Sequence, residues 1–145
     1  MVKTKKILEI LDLIAPFDAA EAWDNCGLQA GNENWPVNKI MIGLDVSMPL
    51  IQAAAACSAD LVLTHHPLMI HPEKKIDFGC MPGSAIEMAA RHQISIVSAH
   101  TNLDKAFGGL NDCLIEKIGI RAPFTDLSGQ ALTTLDSESS AGFGR

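Results

Sequence analysis

Two adjacent histidines, His65 and His66, follow the apolar run Leu61-Val62-Leu63 in the segment "LTHHPLMIHPEKK". Imidazole titrates close to neutral pH and is a common ligand of divalent transition metals. A second polar group, His100, Asn102 and Asp104, follows another apolar run in "SAHTNLDKAFGGLND", and Asp45 follows a third. Three imidazoles and a carboxylate form a nitrogen and oxygen donor set. That set suits zinc, iron, manganese, cobalt or nickel rather than calcium. An adjacent histidine pair can give one ring to each of two metals with an aspartate nearby, and such a centre lowers the pKa of a water it holds. Taken alone, a His-His pair is more often polar decoration of a loop, and His100 or Asp104 a satisfied strand end or a cap. Their joint placement behind successive apolar runs favours the metal reading. The ligand candidates are therefore His65, His66, His100 and Asp104, and no catalytic residue is assigned beyond them.

These residues need elements that carry them to one place. Thr4 can cap an amphipathic helix running to about Ala15, with Ile7, Leu8, Leu11 and Ile14 on one face. Pro16 ends it. The stretch "AWDNCGLQAGNENWP" reads as a loop, with Trp23 anchoring a structured turn and Gly27 and Gly31 at special backbone angles. A role for Asp24 or Asn25 in lining a cleft is its functional alternative. Strands then alternate with helices. Residues 39–46, 60–64 and 94–99 are strands, and residues 49–58, 83–92 and 109–118 are helices. The alternation predicts an α/β fold, a mostly parallel sheet with helices on both faces. Open sheets of that kind bind ligands at the carboxyl ends of their strands, where the four candidates fall. Pro67 ends the second strand, so the backbone can turn both histidines toward one cluster. "GGLND" opens a helix whose free amides could hold an anion such as phosphate. His71, in a proline-flanked loop, and His92, at a helix end, are not expected to be ligands.

The 145 residues carry a net charge of −6, which argues against nucleic-acid binding through a basic surface. Cys26, Cys57, Cys80 and Cys113 are far apart, so neither a thiolate zinc knuckle nor a disulfide framework is suggested. No export signal or membrane span is seen, and a cytoplasmic protein with reduced thiols is expected. Residues 1–120 are read as an N-terminal α/β metal-binding domain. Residues 121–145, rich in Ser, Thr and Gly, are read as a linker or the start of a missing second half, which makes the chain truncated.

The motifs "AWDNCGLQAG", "LTHHPL" and "AHTNLDKAFGGLNDCLIEKIGI" resemble the Nif-three-like family of dinuclear metal-centre proteins, homologues of a type 2 GTP cyclohydrolase I. The likeness runs from about Lys5 to Ile120. It implies a two-domain α/β protomer, a toroidal homohexamer when full length, and paired divalent metal ions facing an internal cavity, two per complete site. It further implies that His65 and His66 bind different metals, that Asp104 binds one of them, and that His100 is a ligand or its immediate neighbour. In the family a later H-x-x-x-E segment completes the site, and this sequence contains none. The implied function is a metal-dependent hydrolase acting on a small-molecule or nucleotide substrate such as GTP. The alternative is a non-catalytic metal- or nucleotide-binding or regulatory protein.

Overall fold

The computed structural model describes residues 1–119. A first helix, α1 (Thr4–Ile14), is followed by a short 3-10 turn (Phe17–Ala19) and strand β1 (Gly27–Ala30). The alternating part follows as β2 (Ile40–Gly43), α2 (Met48–Ala56), β3 (Leu61–Thr64), α3 (Gly83–Arg91) and β4 (Ser95–Ser98). Two further helices, α4 (Thr101–Lys105) and α5 (Leu110–Ile118), close the described chain. The four strands form one sheet in the order β1-β4-β3-β2. Strands β2, β3 and β4 are parallel and in register, with Ile42 beside Leu63 and Leu63 beside Val97.

Side chains alternate across a strand, and the two faces of β3 and β4 build separate cores. Val62 and Ile96 face α2 and α3 and pack with Ile51, Ala54, Ala85 and Ala89. Leu61 and Val97 face the other way, against Ile7, Leu8 and Leu11 of α1. The three layers follow from this division, and β3 and β4, covered on both faces, are almost wholly buried. The result is an α/β fold whose sheet is mostly parallel with helices on both faces. Residues 121–145, read from the sequence as a linker or the start of a second half, lie outside the described residues. Among the described residues no helix is long and apolar enough to cross a membrane.

Three local expectations need correction. The stretch after Trp23 is not wholly a loop, because β1 pairs antiparallel with β4, Gly27 lying beside Ser98 and Ala30 beside Ile96. Only four residues long and bounded by glycines, β1 lacks the length and alternation that mark a strand in sequence. Gly31, just beyond it, has φ +124°, and a Cβ there would stand 2.8 Å from the Ser95 Cα, so only glycine fits this close approach. Thr4 does not cap α1. Lys3 holds the cap position without a side-chain bond, while Thr4 is buried with its hydroxyl 3.0 Å from that of Ser95. The third is an omission: α4, which was not expected, intervenes between β4 and α5, the helix expected over residues 109–118.

Candidate metal centre

All three parallel strands deliver polar residues to one edge. His65 and His66 follow β3, His100 lies two residues past β4, and Asp45 two residues past β2. The antiparallel β1 starts where the others end, so the turn Trp23-Asp24-Asn25 that precedes it arrives at the same edge. Two hydrogen bonds shape the double-histidine turn. The Thr64 hydroxyl donates to the His66 carbonyl at 2.8 Å, and the His66 amide donates to the Leu44 carbonyl at 2.9 Å.

The three rings converge. Centroids lie 5.0 Å apart for His65 and His66, 5.1 Å for His65 and His100, and 5.6 Å for His66 and His100. One ring nitrogen from each lies within 4.8 Å of the others. Each Nδ1 is already engaged by an oxygen. That of His65 meets the Ala99 carbonyl at 3.0 Å, that of His66 the Asp45 carboxylate at 2.6 Å, and that of His100 the Asp24 carboxylate at 2.9 Å. A carbonyl or carboxylate oxygen accepts only, so each Nδ1 carries the hydrogen. In the neutral ring the lone pair is then on Nε2. The partners behind the rings thus fix one tautomer for all three.

Asp104 approaches from α4. Its Oδ1 lies 3.7 Å from His65 Nε2, too far for a hydrogen bond. Two donors on one tetrahedral ion, at bonds of about 2.0–2.1 Å, stand roughly 3.3–3.4 Å apart, so the separation is close to that of two ligands sharing an ion. Asn111 steadies this helix through a 3.0 Å bond to the Asp104 carbonyl. Asn102 joins the site to α1. It is buried, accepts from the His100 amide at 2.9 Å and donates to the Ala15 carbonyl at 2.7 Å.

Asp24 is the most buried acid of the site, its side chain 0% exposed. Burial pushes its carboxyl up, but hydrogen bonds from the Thr101 hydroxyl, the His100 ring and the amides of Thr101 and Asn25 together hold it below its ordinary value. The neighbouring Cys26 thiol is pushed up by burial and by the negative charge of Asp24. The donor set fits a divalent transition metal: three Nε2 lone pairs and a nearby carboxylate, with acceptors orienting the rings from behind, the arrangement usual around metal-ligating histidines.

Of the four residues singled out in the sequence, His65, His66 and His100 come together, and Asp104 stands beside His65. His71 and His92 stand outside the histidine cluster. The helix opening at "GGLND" differs from expectation, because Asp112 already accepts from the Gly108 amide at 2.6 Å and places a carboxylate where an anion was envisaged. Sequence reasoning placed Asp45 at the strand end without assigning it a partner. It left Asp24 as a secondary possibility and missed Thr101. An aspartate beside an exposed tryptophan in a turn carries no sign of which histidine it will meet. Only the antiparallel pairing of β1 supplies that.

This edge and this topology define a class of α/β proteins with a histidine-rich centre at the sheet's carboxyl end. The family model described as Duf34/NIF3 (NGG1p interacting factor 3) matches residues 2–145, and the chain belongs to that family. A Clostridium perfringens protein named GTP cyclohydrolase 1 type 2 homolog is 35% identical over 99% of this chain and 53% of its own length. The GTP cyclohydrolase 1 type 2 of Helicobacter pylori strain J99 is 35% identical over 72% of this chain and 42% of its own. Among solved structures, a Bacillus cereus protein related to NIF3 superposes with a TM-score of 0.74 at 36% identity, over 79% of this chain and 31% of that one. Reduced HcgD from Methanocaldococcus jannaschii superposes with a TM-score of 0.73 at 37% identity, over 79% and 46%. The chain therefore spans about half the length of these curated relatives, or less.

Proposed function

We propose that this chain supplies the histidine side of a divalent-metal centre in a metal-dependent hydrolase acting on a nucleotide such as GTP. One observation carries the reading: three imidazoles that each bring a ring nitrogen within 4.8 Å of the others, whose Nδ1 atoms are all engaged and whose Nε2 atoms keep their lone pairs, with Asp104 beside His65. His65, His66, His100 and Asp104 would hold the ion or ions. The adjacent pair can split between two metals, which in two-metal sites stand about 3.5–4 Å apart. When bound, a divalent ion acts there as a Lewis acid. The protein's part is orientation. Asp45 and Asp24 fix the rings of His66 and His100, the Ala99 carbonyl fixes that of His65, and Asn102 locks the backbone of His100 to α1. The nucleotide substrate is supported by the names of the relatives and by the family resemblance. A non-catalytic metal-binding role uses the same ligands and differs only in lacking turnover.

Calorimetric titration with zinc or manganese tests the centre. The chain is expected to bind divalent metal, and weakly, because four donors split between two metals leave each about two from this chain, where a catalytic zinc keeps three from its protein. His65→Ala or Asp104→Ala should abolish binding and His71→Ala should leave it unchanged. Metal retained in His65→Ala, or lost in His71→Ala, would show the ligand set to be wrong. GTP turnover by a metal-loaded, longer relative that keeps these four residues, lost on substitution of the residue corresponding to Asp104, separates the hydrolase from the non-catalytic role.

A further inference from the structure

Beside the histidine cluster, the turn before β1 and the loop after His66 form an open cleft of about 400 Å³, within the range of roughly 300–1,000 Å³ typical of small-molecule sites. It is lined by Trp23, Asp24 and Asn25 on the turn and by Ile70, His71 and Glu73, among others, on the loop. It touches the metal centre directly, since Asp24 both lines the cavity and holds His100. The Trp23 ring stands edge-on to His100 with centroids 6.0 Å apart. The walls are tied together. The Asn25 side-chain amide donates to the Met69 carbonyl at 2.6 Å, and the Met69 amide donates to Gln29 Oε1 at 3.5 Å.

Three features narrow what such a cavity takes. Trp23 is 55% exposed, Ile76 45% and Ile70 40%, so apolar and aromatic surface waits beside a polar cluster. The lining includes one accessible carboxylate, Glu73, since the Asp24 side chain is 0% exposed, and neither lysine nor arginine, which disfavours a phosphate and favours N–H donors. Among the described residues no hydrogen bond or ion pair engages the side chains of Glu73 and His71, whereas Asp24 is fully committed to His100, Thr101 and Asn25.

We propose that this cavity seats a planar nitrogen heterocycle with N–H groups along one edge, a guanine-type base, stacked on Trp23 with Glu73 accepting from that edge. His71, outside the metal ligand set, then contributes to ring recognition. Seated there, the base leaves the rest of the ligand to extend toward the Nε2 atoms of the histidines, away from the acidic lining. This inference rests on the proposed function for the choice of guanine and for what happens at those histidines, while the cavity's own chemistry supports a stacked ring with N–H donors.

Guanosine, which has no phosphate, is the probe. Calorimetric titration of the chain with guanosine, with and without zinc, is paired with zinc titration of the same samples. Trp23→Ala is expected to weaken guanosine by about tenfold or more, the scale of one base stacked on an aromatic ring, while zinc binding stays intact. Guanosine should bind more tightly than inosine, which lacks the exocyclic amine, and Glu73→Ala, which removes the acceptor, should erase that preference. Zinc binding with no guanosine binding, or guanosine binding that ignores Trp23→Ala, overturns the inference and leaves the metal reading standing. Equal binding of guanosine and inosine by the unaltered chain overturns the role of Glu73. Guanosine binding that depends on Trp23 in a chain that binds no metal upholds the inference and removes the metal reading instead.

Discussion

His66 and His100 are each held by a carboxylate on Nδ1, at 2.6 and 2.9 Å, yet the two pairs lie in different surroundings. The Asp45 side chain is 64% exposed and that of His66 45%, whereas Asp24 is 0% exposed and His100 13%. Asp24 also accepts from the amides of Thr101 and Asn25 and from the Thr101 hydroxyl. Water can replace Asp45 as an acceptor. It cannot reach the place of Asp24. Contact distance therefore does not rank the two supports, and burial does: one is part of the fold, the other adjusts a ligand.

The largest expected effect is at the buried support. Asp24→Ala leaves the Thr101 amide and hydroxyl and the His100 ring without their acceptor. It should lower the unfolding free energy by about 2–4 kcal/mol, the scale of stranded buried polar groups and of one partner removed from a buried pair, read by urea denaturation of metal-free protein. The same group sets an acid limb. Its folded carboxyl lies below the ordinary value of 3.8, so the unfolded chain takes up the proton first as pH falls. The stability from Asp24 is complete above that ordinary value and is lost as pH drops through the lower, folded one. Asp24→Asn should flatten this loss. Parallel acid profiles for the original and the Asn variant would mean that Asp24 is not the buried anchor described here.

The contrast between the two supports also separates what the sequence could tell from what it could not. The alternation of apolar runs with helical segments was legible because β3 and β4 are covered on both faces and so read as unbroken apolar stretches. That was enough to bring His65, His66, His100 and Asp104 to one edge. The turn at Asp24 was not legible in the same way. Its neighbour β1 is a four-residue edge strand whose pairing is set by β4 and not by any pattern of its own. Thr4 illustrates the same limit, because a good capping residue was taken inward by Ser95 across the fold. Local signals fix elements with strong periodicity, and tertiary contact decides the rest.

The exposed support should behave differently. Asp45→Ala is expected to change the unfolding free energy by less than about 1 kcal/mol, no more than a solvent-exposed ion pair is worth. Its effect should fall on the metal, because an outer acceptor that orients a histidine typically governs about tenfold or more in affinity. Zinc titration and urea denaturation of the same variant read the two quantities separately. A large stability loss with unaltered zinc affinity would reverse the ranking and place Asp45, not Asp24, in the fold's framework.

The smallest effect sharpens the comparison at Cys26, two residues beyond Asp24. Its thiol is pushed above the ordinary value of 9.0 by burial and by the charge of Asp24, whereas Cys57, Cys80 and Cys113 are exposed. The thiolate is the reacting species, so a raised pKa and poor access both slow the reaction. Iodoacetamide at mildly alkaline pH should modify the three exposed cysteines first and Cys26 last, followed residue by residue by peptide mass spectrometry. Asp24→Asn removes the charge and retains most of the bulk. It should therefore speed Cys26 modestly, while Asp45→Asn should leave it unchanged. Burial, the larger of the two causes, persists in both variants, so Cys26 should still react last. Equal acceleration by the two substitutions would indicate general loosening of the sheet edge instead of the local field of one buried carboxylate.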